Sequence, residues 1–258
     1  MFRIRKEQME AFDQAARVAF EDEMVVHSQD FSPRLCKVMG EDQLRVAIRG
    51  AMSRADKYGF TLRGPVRLCI ELMFLYGSSF DTDPQYPVIG EVLTSTRNQM
   101  HRAEQIHQRV NDYHKRVAGD ENINVRKSLE YLSKFAQKNV RFSSSDFEAE
   151  VIEQMTNAFP QKVEYVGNEA LIALIREGRH EAGRFGLTEL RSEALLVVLM
   201  FSFGHGCTDD PLYPWISGTL NDKRIVALED RAKRLERKAV TWLKRVLANA
   251  DKELSRDR

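Results

Sequence analysis

The sequence predicts an all-α protein, an internally duplicated helical bundle whose pseudo-two-fold related halves each hold a central apolar helix. Three observations predict it. Residues Tyr58 to Leu93 and Phe185 to Leu220 match without a gap at a constant step of 127 residues, with thirteen of thirty-six positions identical. Chance at average composition gives roughly 2, so both copies should adopt one local structure. Apolar residues recur at three- and four-residue steps along most of the chain, as one helix face requires. No stretch reads convincingly as a strand.

The first helix is expected from about residue 6 to 27, with Met9, Phe12, Ala16, Phe20 and Met24 turned inward. Pro33 ends it, because it restricts Ser32 and cannot continue the ladder. The second helix, about Glu41 to Lys57, buries Leu44, Ile48, Ala51 and Ala55, and Gly59 supplies a left-handed cap. Thr61 caps the third helix, whose first turn tolerates Pro65. From about residue 62 to 76 that helix is apolar almost all round. Its length and helical neighbours favour helix over buried strand.

After Gly77, Asp83 serves as N-cap and Pro84 as first helical residue of a short helix that also holds Pro87 and runs to about Thr94. A long helix follows over about 96 to 118. The next carries Leu129, Leu132, Phe135, Ala136 and Val140. The second copy repeats the pattern: Phe159-Pro160 for the break, Gly186 and Thr188 for the cap, Ala194 to Phe203 for the buried helix, then Gly204, Asp210, Pro211 and Pro214 for the second cap. A helix from about Asp222 to Ala250 closes the chain. The halves divide near residues 1–118 and 119–258 and pack as one compact unit.

Composition narrows the function classes. Thirty-nine basic and thirty-eight acidic residues leave a net charge of +1, so no global field selects nucleic acid or an anionic membrane. Residues 222–258 carry twelve basic and seven acidic side chains, interspersed as on a solvated face, so nucleic acid is not the expected partner. The longest apolar runs are too short to span a bilayer. The amphipathic N-terminal residues, without an apolar h-region or small-residue cleavage site, are not expected to act as a Sec signal peptide. With Cys36, Cys69 and Cys207 read as reduced thiols, a cytoplasmic location is expected.

The repeated Asp-Pro-x-Tyr-Pro is the most specific feature. Two readings stand side by side. In the structural one a proline-stiffened cap closes each buried helix. In the functional one Tyr86, Leu212, Tyr213 and Trp215 form exposed anchors for a partner. Asp81, Asp83, Asp209 and Asp210 fit no calcium loop, and one histidine with one cysteine near residue 205 falls short of a zinc site. Glu104 and His107 lack the second helix a diiron set needs. No cofactor or metal is therefore expected. Glu71 lies within the apolar third helix and should meet a donor such as Arg45, Arg49 or Arg67, or reach the interface between the halves. Glu71 and His205 are the polar residues to watch.

Tyr58-Gly59-Phe60-Thr61, the run Leu72-Met73-Phe74 to Gly77, and Asp83-Pro84-Gln85-Tyr86-Pro87 together resemble an uncharacterised bacterial all-helical family often encoded near type VI secretion spike genes. That family's usual form has Trp after the second proline, as at Pro214-Trp215, and the first copy departs with Val88. The resemblance covers the core of each half. It implies a secretion-linked adaptor, chaperone or immunity protein whose partner is a secreted effector or spike component. It carries over no catalytic residue. The expectation is non-enzymatic protein binding; the alternative is a small-ligand or catalytic pocket between the halves, using Glu71 or His205.

Overall fold

Residues 5–135 and 140–254 are described in the computed structural model, and every regular element among them is helical. In chain order these are α1 (Lys6–Phe31), α2 (Pro33–Met39), α3 (Glu41–Lys57), α4 (Arg63–Tyr76), α5 (Pro87–Thr94), α6 (Gln99–Tyr113), α7 (Ile123–Phe135), α8 (Phe147–Ala158), α9 (Pro160–Val166), α10 (Asn168–Arg184), α11 (Leu190–Phe203), α12 (Pro214–Leu220) and α13 (Leu228–Leu254). A π-helical turn, His114–Ala118, follows α6. Val140 falls beyond the end of α7, and Ala136 lies outside the described residues.

Adding 127 to both ends of α2, α3 and α4 gives the ends of α9, α10 and α11. Local chemistry accounts for the shared limits. Pro33 and Pro160 open α2 and α9, where a missing N–H costs no helical bond. Glu41 and Asp42 sit in the first turn of α3, Arg54 and Lys57 in its last, each charge opposing the helix dipole. α4 and α11 are apolar almost all round because neighbours cover most of their surface: Cys69, Ile70, Leu72, Leu196 and Val197 are fully enclosed. One contiguous core draws side chains from Phe20 in α1 through Ala239 in α13.

Three local expectations are corrected. Phe20 and Met24 are buried, but Met9, Phe12 and Ala16 are exposed, because α1 runs on past the body that covers its C-terminal half. Thr61 does not cap α4. Instead Gln99 accepts from the backbone N–H groups of Thr61 and Leu62 and donates to the Thr61 hydroxyl. Pro84 lies in a turn outside the helix, and α5 starts at Pro87. Asp83 accepts from Gln85 N–H two residues on, closing an Asx turn in place of a helix cap. Pro211 occupies the same place in its own turn, and α12 starts at Pro214; Thr188 precedes Glu189, the residue before α11.

Candidate functional site

The central helices α4 and α11 end against each other, and the chain there leaves no room for side chains. Gly77 (φ +91°) and Gly204 (φ +94°) adopt backbone that only glycine holds readily. A Cβ on Gly77 would overlap the Phe203 carbonyl oxygen, and one on Gly204 would overlap the Tyr76 carbonyl oxygen. Just beyond, each segment reaches into the other. Asp210 accepts from Ser78 N–H (2.7 Å) and Ser78 Oγ (2.6 Å), while Asp83 accepts from His205 N–H (2.8 Å). Each aspartate also accepts from the amide two residues on, Leu212 or Gln85, both at 2.8 Å. Burial raises both carboxyl pKa values, against the pull of those amides.

The aromatic residues of the Asp-Pro-x-Tyr-Pro segments turn inward over these ends. Tyr86 packs against Tyr76 with ring centroids 4.3 Å apart and Tyr213 against Phe203 at 4.4 Å, both pairs tilted. Tyr113 closes the first cluster edge-on and Trp242 the second. Tyr86, Leu212 and Tyr213 are therefore buried and Trp215 half-buried, which corrects the expectation of exposed anchors. The residue pattern suits a recognition ledge and a helix plug equally well. The apolar helix ends need covering, and these rings cover them.

Beside the first plug lies a lysine that sequence reasoning missed. Lys162 in α9 is 5% exposed, lies over the Tyr86 and Phe201 rings, and donates to the Phe201 carbonyl oxygen. That oxygen belongs to the last turn of α11, where carbonyls lack helical partners and a cation is favoured. Burial pulls the lysine pKa down to about 8, against the opposing charge of Asp83. One signal was readable: the 127-residue step sets Lys162 against Leu35, a charge in place of an apolar residue.

The unfolded lysine titrates near 10.5 and the folded one near 8. Between those values the unfolded chain binds the extra proton, so this group's contribution to stability rises with pH across the window and is flat below it. Lys162→Met should remove that slope. Urea denaturation is expected to show wild type gaining about 2 kcal/mol on the variant between pH 8 and about 9.5. A constant difference would refute the assignment.

The two watched polar residues sit apart. Glu71 is held by His27 Nε2 at 2.9 Å and Arg67 Nε at 3.4 Å. Arg45 and Arg49, two of the expected donors, are engaged instead by Glu21, with Asp22 and Glu41 also on Arg45. His205 bridges the junction. Its Nδ1 lies 2.7 Å from Glu177 Oε1, and its Nε2 3.0 Å from Thr82 Oγ1 and 3.2 Å from the Ser79 carbonyl oxygen. Burial pulls its pKa down, but the Glu177 hydrogen bond and the charges of Asp83 and Glu177 outweigh that and leave it raised. Asp81 is held by Arg54 and accepts from Tyr58 Oη at 2.7 Å. Among the described residues no three His, Cys, Asp or Glu side chains converge to hold a metal ion.

The cavity sits elsewhere. About 400 Å³ opens between α7, α8, α11 and α13, lined by Val151, Leu195, Val198, Leu199, Val240 and Leu243 together with Phe203. α6 packs directly on α4, whereas residues of both α11 and α13 line this cleft. Charged residues edge it: Arg191 pairs with Glu236 at 2.5 Å, and Lys233 with Glu229. Neither Glu71 nor His205 lines it, so the expected location between the halves is not where this cavity lies. Phe203 joins the cleft to the second plug, because the same ring contacts Tyr213, Trp215 and Trp242. Among the described residues no helix is long and apolar enough to cross a membrane. No family model, curated protein or solved structure matches the chain.

Proposed function

We propose that this chain is a non-enzymatic protein-binding protein built from two related helical halves, and that the cleft between α11 and α13 receives its partner. The observation that carries the reading is the cleft itself: an apolar groove between helices, edged by both signs of charge. Such grooves take the apolar face of a partner helix or a few anchoring side chains, while rim charges set orientation. The aromatic plug behind Phe203 gives it a rigid back wall. A duplicated origin is supported by the shared helix limits, the paired glycines and the reciprocal aspartate contacts, all at one step of 127. The partner class is an effector or spike component of a secretion system, met in the cytoplasm, with an adaptor, chaperone or immunity role; this part rests on the family resemblance.

Leu195→Glu and Val240→Glu each place a charge in the lining of the cleft, one from α11 and one from α13. With a partner captured by the full chain and then purified, calorimetry is expected to show each variant binding at least about 100-fold more weakly. Far-ultraviolet circular dichroism and the melting temperature should hold near wild type. Undiminished binding by both folded variants overturns the site. A second reading is favoured by the volume, which falls in the range of small-molecule pockets. In that case native mass spectrometry of the purified chain finds an apolar small molecule that Leu195→Glu loses.

A further inference from the structure

Among the described residues, none covers the N-terminal part of α1. Every residue from 5 to 19 is exposed, and the tie nearest the body is Arg17 to Asp56 at 2.5 Å. Three or four turns of isolated helix are marginal in water. Along the whole solvent side runs a seam at alternating three- and four-residue steps: Met9, Phe12, Ala16, Ala19, Glu23, Val26 and Asp30, all exposed. This is the a/d spacing of a coiled coil sustained over three heptads. It is distinct from the buried face of Phe20, Met24, Val25 and Ser28.

The seam is complementary to itself when reversed. Two antiparallel copies whose facing residue numbers sum to 35 place Met9 against Val26 of the second copy and Ala16 against Ala19, so small residues meet at the centre and allow close approach. Arg5 then meets Asp30, joining opposite charges, and Phe12 covers the stem of Glu23, whose carboxylate is held by Arg63. A parallel pair would set Glu23 on Glu23 and Asp30 on Asp30, like charges in contact. From this we infer that α1 pairs antiparallel with α1 of a second copy of the chain, forming a two-fold symmetric dimer through residues that do not line the α11/α13 cleft. The proposal stands independently of the cleft reading.

Sedimentation velocity of the full chain at up to about 100 µM is expected to show a dimer, and Ala16→Glu a monomer with an unchanged circular dichroism spectrum. Asp30→Arg should weaken the dimer, and Arg5→Asp with Asp30→Arg should restore it. Native Cys36, Cys69 and Cys207 are buried, so introduced thiols report alone. Oxidising a mixture of Met9→Cys and Val26→Cys chains should give the mixed disulfide dimer. A monomeric wild type overturns the proposal. So does a dimer untouched by Ala16→Glu, or one that links Met9→Cys to itself faster than to Val26→Cys. Partner binding at the cleft should persist in Ala16→Glu, and dimerisation in Leu195→Glu, which separates the two readings.

Discussion

Gly204→Ala is expected to abolish cooperative folding of the chain or cost at least about 4 kcal/mol. Two terms add. The residue holds φ +94° and ψ 152°, a region that L side chains scarcely visit, at about 1–3 kcal/mol. The new methyl also overlaps the Tyr76 carbonyl oxygen and lies 3.1 Å from Gly77 Cα. Both are backbone atoms fixed at the end of a buried helix, so no flexible side chain can yield. Relief requires α4 and α11 to separate, which opens both aromatic plugs. With total stabilities of about 5–15 kcal/mol typical of domains, such a loss is close to the whole. Gly77→Ala should behave alike, since its Cβ meets the Phe203 carbonyl oxygen. Gly50→Ala is the control: it sits inside α3 with open space around it, and alanine there should stabilise by about 0.5–1 kcal/mol. Chemical denaturation of the three variants tests the set. A well-folded Gly204→Ala chain with near wild-type stability would mean that the two helix ends do not meet as described.

The helices were largely legible because their signals are local. Periodicity, Pro33 and Pro160 as breaks and Gly59 and Gly186 as left-handed stops act within a few residues, although the short helices that the two prolines go on to open were not foreseen. What stayed hidden depends on where distant segments meet. Met9 and Phe12 read as core because spacing defines a face without saying what covers it. Asp83-Pro84 has the residues of a helix start, but Asp83 Oδ2 is taken by His205 N–H from 122 residues away, and the helix waits for Pro87. Tyr86 and Tyr213 were ambiguous for a related reason, since a large ring on rigid backbone suits an interface and a plug alike. The cleft has no motif at all. It is lined by residues of α7, α8, α11 and α13 together, a juxtaposition set by packing and not by any short run of residues. Lys162 was readable only by following the 127-residue step outside its best-matched stretch.

The reciprocal aspartates make the second large effect, and one that a cycle of mutants can resolve. Asp210→Ala removes the acceptor for Ser78 N–H, Ser78 Oγ and Leu212 N–H at a site only 3% exposed. Each buried donor left without a partner costs about 1–3 kcal/mol, so the expected loss is about 3–5 kcal/mol after partial relaxation. Asp83→Ala strands His205 N–H, Gln85 N–H and one donor of the Gln85 amide, with a comparable loss. It also takes away the carboxylate whose charge favours the protonated form of Lys162. Both clasps tie the same two helix ends, so once one is cut the junction relaxes and the other holds less. The double variant should therefore lose about 1–3 kcal/mol less than the sum of the singles, beyond the additivity of independent sites. Urea denaturation of the four proteins at one pH measures this coupling. Strict additivity would show the clasps acting as separate turn caps. Coupling of the expected sign would show that Asp83 and Asp210 work as one fastening across the meeting point of α4 and α11, with Gly77 and Gly204 providing the clearance that lets it close.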